Sequence, residues 1–247
     1  MKKAISPNLW RVPTDNDKGA SNFFAFLGTE SKWKKAMNKR KLLWFSYEKR
    51  GENCVFIRTE YKIKRGKEPF KINYTINGLG EILIYCSFFP KKELERFGVC
   101  FALPKSFGNY KWYGRGPHEN YWDRKTGAAV GIYTSEVEKF IHEYVRPQEN
   151  ANRCDVRWFE FTDENGAGLK IEAIPKMVLS AWPYSAEDLD QANHIHELPR
   201  RDFITVNVDF KQKGVGGNNS WGAKPEPEYR LYGKKKYELK FILKPII

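Results

Sequence analysis

Cysteine, histidine and methionine are scarce in this chain, and each scarcity narrows what it can be. The four cysteines, Cys54, Cys86, Cys100 and Cys154, lie far apart and form no CxxC pair. That excludes a ribbon-type zinc module and a dense disulfide framework, and leaves buried thiols as the expectation. No run approaches the ~20 apolar residues of a membrane-spanning helix, and the first residues lack the apolar stretch of a secretory signal. No segment is rich enough in Pro, Gly or Ser to act as a linker, and no repeat recurs at a fixed period, so one domain over residues 1–247 is expected. Regular strand–helix alternation is also missing, which excludes a TIM barrel within this chain.

What is present points to a compact protein. Hydrophobic residues make up 41% and aromatics 15% of the sequence, a composition opposite to that of disordered chains. The formal net charge of +13 raises the question of a polyanionic partner. The basic residues, however, are spread along the chain, with only short clusters at Lys32–Lys35, Lys39–Lys41 and Lys234–Lys236 that aromatic or apolar positions break or flank. Lysines on the solvated face of a sheet explain such clusters, because they discourage edge pairing. Neither nucleic acid nor a membrane is an expected partner.

The dominant periodicity is two. Phe70, Ile72, Tyr74 and Ile76 alternate with Lys71, Asn73, Thr75 and Asn77, and Val55, Ile57, Tyr61 and Ile63 keep one parity, with Thr59 as its polar member. Ile204, Val206, Val208 and Phe210 alternate with Thr205, Asn207 and Asp209, as do Tyr237, Leu239, Phe241 and Leu243 with Glu238 and Lys240. Alternation of this kind predicts strands with one buried and one wet face. Asn77-Gly78, Gly114 to Pro117, Asn165-Gly166 and the stretch Gly214 to Gly222 supply turns, and the whole reads as an antiparallel all-β sandwich. Helix is predicted only over about Phe23–Lys39 and, capped by Ser185, over Ala186–Gln191.

Chemistry-bearing residues are few. Glycoside hydrolysis needs two carboxyl groups held about 5 to 10 Å apart, and no spacing here picks out such a pair. Glu119 and Glu149, each followed by Asn, read better as loop carboxylates than as catalytic acids, so no catalytic residue is assigned. His194-Ile195-His196 would place two rings on one face of a strand, but with no third ligand visible in the sequence no metal site is assigned. Asp15-Asn16-Asp17 lacks the further oxygen ligands of a calcium loop and reads as a turn after Pro13. Trp221 stands out because the glycines around it free the backbone to present an indole, whose flat face suits the C–H face of a pyranose. Core packing is the alternative for that ring.

Taken together, these words form a pattern. Leu9 to Gly19 (LWRVPTDNDKG), Trp112 to Arg124 (WYGRGPHENYWDR), Tyr144 to Asn150 (YVRPQEN) and Gly214 to Trp221 (GVGGNNSW) occur in that order, and closely resemble the C-terminal small-chain domain of glycoside hydrolase family 2 β-galactosidases. The resemblance covers about residues 5 to 245 and implies a large antiparallel supersandwich of the galactose mutarotase type. It also implies a complete enzyme, bacterial and homo-oligomeric, that hydrolyses terminal β-D-galactosyl bonds such as that of lactose through a covalent intermediate. The catalytic glutamates would then belong to a TIM-barrel domain, in the same chain or in a separate large subunit. No cofactor is implied for this domain, with Mg and Na assigned to other domains of full-length members.

By the same resemblance Trp221 matches an aromatic residue that reaches the active-site mouth and stacks on sugar, with Asn219 and Ser220 shaping the loop beside it. Arg115, His118, Glu119, Arg146 and Glu149 would hold loops or line a groove. Where the family carries acidic residues before Ser-Trp, this chain has Asn218-Asn219, which bears on any charge-dependent contact of that loop. The isolated chain is therefore expected to fold, to lack hydrolytic activity, and to bind galactosides weakly or not at all. A stand-alone carbohydrate-binding module is the alternative, and heat of binding to millimolar galactose or lactose separates the two. A mutarotase-like epimerase, tested by polarimetry, and a nucleic-acid binder, tested by the salt dependence of affinity, follow behind.

Overall fold

The computed structural model describes residues 1–19, 31–219 and 223–247. Among them the strands are β1 (Lys3–Asn8), β2 (Lys41–Lys49), β3 (Cys54–Lys62), β4 (Phe70–Asn77), β5 (Ile82–Phe88), β6 (Arg96–Pro104), β7 (Asn109–Gly116), β8 (Ala129–Glu136), β9 (Arg153–Thr162), β10 (Gly168–Trp182), β11 (Phe203–Gln212) and β12 (Tyr237–Ile246). They form one antiparallel sheet of twelve strands, ordered β1-β6-β11-β10-β12-β5-β4-β3-β2, from which β9, β7 and β8 branch beside β10.

The branch arises in β10, which is long enough to serve two neighbourhoods. Gly168–Ala173 pairs with β12, whereas Val178–Trp182 pairs with β11, and β9 follows the other side of β10 with register shifts after Glu172 and Met177. Shifts of this kind bend a strand and raise its twist, so the sheet curls over a continuous core. Phe70, Ile72, Ile84, Phe97, Val99, Ile171, Leu179, Val206 and Phe241 are fully buried in it, each contributing about 1.5–3 kcal/mol of burial. Under β7 and β9, Tyr110, Trp112, Phe140, Phe159 and Phe161 form an aromatic nest with centroid separations of 4.9 Å for Tyr110–Phe161 and 5.8 Å for Trp112–Phe159.

The alternation seen in the sequence is realised where it is clearest. In β12, Tyr237, Leu239, Phe241 and Leu243 are buried while Glu238 and Lys240 are exposed. Thr59 takes an inward place in β3, its hydroxyl donating to the Ile72 carbonyl at 3.0 Å. Strand β11 departs from expectation: Thr205, Asn207 and Asp209, the parity expected to be wet, are buried, and Phe210 is the exposed member. Polar groups from strands β1 and β6 and from the chain just after β10 supply partners to these buried groups. Asn8 donates to Asn207 (2.9 Å), the Tyr184 carbonyl accepts from Thr205 (2.6 Å), and Arg96 pairs with Asp209 (2.9 Å).

The helices are α1 (Asp15–Gly19), α2 (Lys32–Asn38), α3 (Val137–Phe140) and α4 (Ala186–Gln191). Helix α4 begins as the sequence predicts, with a capping box between Ser185 and Asp188. Asp15-Asn16-Asp17, expected as a turn, is one helical turn instead, because Thr14 and Asp17 exchange hydrogen bonds of 3.1 Å across its N-terminus. Of the helix expected over Phe23–Lys39, the part after Glu30 is α2, capped by Ser31, and the part through Glu30 lies outside the described residues. Lys32–Lys35 therefore begins on a helix and not on a sheet, with Lys34 pairing to Asp190 of α4 at 2.5 Å. All four cysteines are free, Cys86 and Cys154 being buried. No helix among the described residues is long and apolar enough to cross a membrane.

Candidate functional site

The four sequence blocks, scattered over more than two hundred positions, meet at the root of the glycine-rich loop that follows β11. The first block supplies Arg11, 1% exposed, whose guanidinium grips Asp17 with two bonds of 3.0 Å. The same guanidinium donates to the carbonyls of Lys213 (2.5 Å) and Gly214 (3.0 Å), and Lys213 closes the ring on Asp17 at 2.8 Å. Burial raises the cost of the Asp17 charge, but Arg11 and Lys213 outweigh it and hold the carboxyl well below the usual carboxylate range. Asn16 donates to the Val215 carbonyl at 3.0 Å, so Arg11 and the helical turn that follows it clamp three consecutive loop residues.

The second block meets the loop through Asp123, whose Oδ2 accepts the Gly216 N–H at 2.9 Å. That approach depends on Gly214, because a Cβ there would collide with the Asp123 carboxylate. Glu119 organises the rest of the block: Oε2 accepts the Ala151 N–H at 2.9 Å, while Oε1 accepts from Arg124 at 2.9 Å and from the Tyr144 hydroxyl. Asn120 is tied to the start of β9, receiving Asn152 Nδ2 on its carbonyl (2.7 Å) and the Cys154 N–H on its side chain (2.8 Å). Arg115 bonds Asp155 at 2.7 Å and the Lys125 and Ala128 carbonyls, which fixes the β7–β8 connection.

The third block lies between these. Gln148 accepts the Asp15 N–H at 3.0 Å and returns a bond to the Asp15 carboxylate at 2.9 Å. Glu149, fully buried, takes Arg96 at 3.0 Å and Gln212, the last residue of β11, at 3.1 Å. Arg96 also holds Asp209, so one guanidinium serves two buried carboxylates. Burial pushes the Asp209 carboxyl up to about 7, with Arg96 pulling it down and the Glu149 charge pushing it further up. Gly98 in β6 makes room for that carboxylate, since a Cβ there would overlap Asp209 Oδ1. At the start of β9, Arg153 stacks 4.0 Å above the Phe140 ring, and burial lowers its guanidinium to about 10.

Chemically this is a socket. Its buried carboxylates are held by arginine, lysine, glutamine and backbone N–H partners. What faces solvent is the rim: His118, Val145, Arg146, Gly217, Asn218 and Asn219 are exposed. His118 contributes a carbonyl to Asn120 (3.1 Å) and Arg146 one to Gln148 (3.2 Å). Gly216 and Gly217 turn the loop with φ of +67° and +97°, Asn218 is pinned to Glu226 at 2.6 Å, and Asn219 Oδ1 accepts the Ala223 N–H at 3.2 Å. Ser220 and Trp221, on which the sugar-stacking expectation rests, lie outside the described residues.

Several residues at the centre of this arrangement escape the sequence. Asp209 sits on the β11 parity that alternation marks as wet, and nothing around Arg96 or Gln212 signals burial. Arg11, Asp17 and Asp123 do stand inside the recurring blocks, so their position there is the one available cue. His194 and His196 are held by a 3-10 turn, Ile195–Glu197, and not by a strand, with their rings stacked at 5.4 Å.

Known proteins place the chain. A family model for the β-galactosidase small chain matches residues 1–243. The β-galactosidase of Priestia megaterium is 37% identical over 249 residues, and that of Lactobacillus delbrueckii subsp. bulgaricus 35% over 252. Both alignments cover 100% of this chain and 24% of the relative, so the chain spans about a quarter of their length. Among solved structures, an α-galactosidase from Lactobacillus brevis superposes with a TM-score of 0.47 at 10% identity, over 84% of this chain and 27% of that one. A galactose 1-epimerase from Lactobacillus acidophilus gives 0.47 at 8%, over 81% and 65%. With the family match running nearly end to end and the family's sequence blocks gathered into one socket, this chain belongs to the β-galactosidase small-chain family.

Proposed function

We propose that this chain is the part of a retaining β-galactosidase that completes the mouth of the galactoside site, with Trp221 as the sugar-stacking residue and the acid/base and nucleophile supplied by the rest of the enzyme. The observation that carries the proposal is the socket: Arg11, Asn16, Asp123 and Gln212 fix the root of the loop that bears Trp221, through bonds to residues 213–216 or to Glu149. Fixing the root of the loop reduces the conformational freedom to be lost when the loop meets a ligand. A stacked indole would then position the sugar where a pair of carboxyl groups about 5–5.5 Å apart forms and cleaves a glycosyl-enzyme bond.

Incompleteness is supported by the far edge of the sheet. Strand β2 pairs on one side with β3 and exposes Leu42, Leu43, Trp44, Phe45 and Tyr47. An exposed edge with large apolar groups on both faces is a surface built to be covered. The occupant we assign is the remainder of the β-galactosidase polypeptide, since the relatives are about four times as long as the stretch matched here.

The test has two arms. Rigorously purified chain is expected to give no turnover of a chromogenic β-galactoside and no binding heat with millimolar lactose. In the complete enzyme, Trp221→Ala is expected to lower kcat/KM roughly ten- to a hundredfold, the worth of about 1.5–3 kcal/mol of aromatic contact, with partial recovery in Trp221→Phe. Turnover by the chain alone, or an unaltered kcat/KM in Trp221→Ala, would overturn it.

A further inference from the structure

Away from the socket, between α4 and β11, three ligating side chains gather on four consecutive residues. His194 caps the 3-10 turn Ile195–Glu197, and the turn brings His196 and Glu197 to the same side as His194. The two imidazole planes are 14° apart with centroids 5.4 Å from one another. His194 Nδ1 lies 3.0 Å from Glu197 Oε1, and one ligand atom from each of the three residues falls within 4.8 Å of the others. The sequence shows only the two histidines as a pair; the turn recruits the carboxylate.

We propose that His194, His196 and Glu197 form a surface site for one divalent transition-metal ion of the imidazole-binding class, with Zn2+ as its simplest occupant. Two imidazoles and one carboxylate are the donor set such ions take, with water completing the coordination. Tetrahedral zinc with bonds of about 2.0–2.2 Å separates its ligands by about 3.4 Å. The present 4.8 Å limit is closed by small rotations of exposed imidazoles, which cost little where no packing restrains them. The carboxylate is already oriented, because Glu197 Oε2 accepts the Asn193 N–H at 2.8 Å.

The two imidazole donors select against Ca2+ and Mg2+, which take oxygen ligands, and in favour of an ion that binds nitrogen. Bound there, the ion would staple Asn193–Glu197 and so stiffen the link between α4, which holds α2 through Lys34–Asp190, and β11. Nothing in this site depends on galactoside binding.

Tag-free chain titrated with ZnCl2 near pH 7.5 by calorimetry is expected to bind one equivalent. His194→Ala with His196→Ala is expected to abolish that equivalent. Glu197→Gln is expected to weaken it by at least roughly tenfold, the effect that loss of even an outer-shell partner has at metal sites. His142→Gln, at an exposed histidine elsewhere, should leave stoichiometry and affinity unchanged. Imidazole resonances of His194 and His196 should shift with zinc in NMR spectra while that of His142 does not. An equivalent that survives the double substitution, or the absence of any binding at 100-fold excess of ion over protein, would overturn the assignment.

Discussion

At the scale of single residues, the socket holds two buried carboxyl groups whose titrations have opposite consequences. Asp17 is held below the usual range because Arg11 and Lys213 outweigh the cost of burial. Between its folded and unfolded pKa the unfolded chain binds the extra proton, so the stabilisation is present above about pH 4 and is lost as the medium is acidified. Asp17→Asn is therefore expected to cost about 2–4 kcal/mol at pH 7, slightly less than a fully buried pair would, and the difference from wild type should narrow by about 1 kcal/mol or more at pH 3. Asp209 runs the other way. Its folded pKa of about 7 means that the folded chain binds the extra proton, so its contribution declines as pH rises from about 4 toward 7. Asp209→Asn should become less destabilising over that window. Urea midpoints across pH for the two variants check both signs, and parallel pH profiles would refute the assignment.

Among the elements, β2 is the one whose chemistry fits the isolated chain least. Lys41 and Lys49 stand at its ends as gatekeepers, yet between them Leu43 is 54%, Phe45 56% and Tyr47 70% exposed, on a strand whose one neighbour among the described residues is β3. In the isolated chain Phe45→Lys is expected to suppress concentration-dependent association, measured by sedimentation velocity. Folding stability should change by no more than about 0.5 kcal/mol, as for other surface positions. When the chain is combined with the remainder of a β-galactosidase, the same substitution should weaken assembly. A variant that assembles as well as wild type would remove β2 from the interface. The elements of the socket behave differently, since α1 is tied to Gln148 and Lys213, and the end of β11 to Glu149 and Asn152, by bonds whose partners are far apart in sequence.

For the whole molecule, the placement of the termini decides how the chain can be cut. β1 lies at one edge beside β6, but the C-terminal strand β12 sits in the interior of the sheet between β10 and β5. Its loss would leave two sheet fragments with unpaired edges and would expose Phe70, Ile84 and their neighbours in the common core. Truncation before Tyr237 is expected to abolish the cooperative thermal transition followed by near-UV circular dichroism, whereas removal of Met1 and Lys2 should shift the midpoint by only a few degrees. A native-like transition in the shortened chain would show that the core does not need β12.

What the sequence determined by itself was local: two-residue alternation dictated the strands of β3, β4 and β12, Ser185 and Asp188 dictated the start of α4, and the glycines of 214–217 dictated a turn. Its four ordered blocks also carried the family, because together they match one family's pattern. Tertiary structure alone decided which faces are dry. Alternation reports that two faces of a strand differ, not what lies above each, so Thr205, Asn207 and Asp209 read as solvated until Asn8, Tyr184 and Arg96 are laid over them. The same holds for the two chemical sites. Arg11 meets Gly214 across 203 positions, and Glu197 joins two histidines because a 3-10 turn, and not the predicted strand, sets their direction. Side-chain direction follows from backbone dihedrals and long-range packing, which no spacing along the chain encodes.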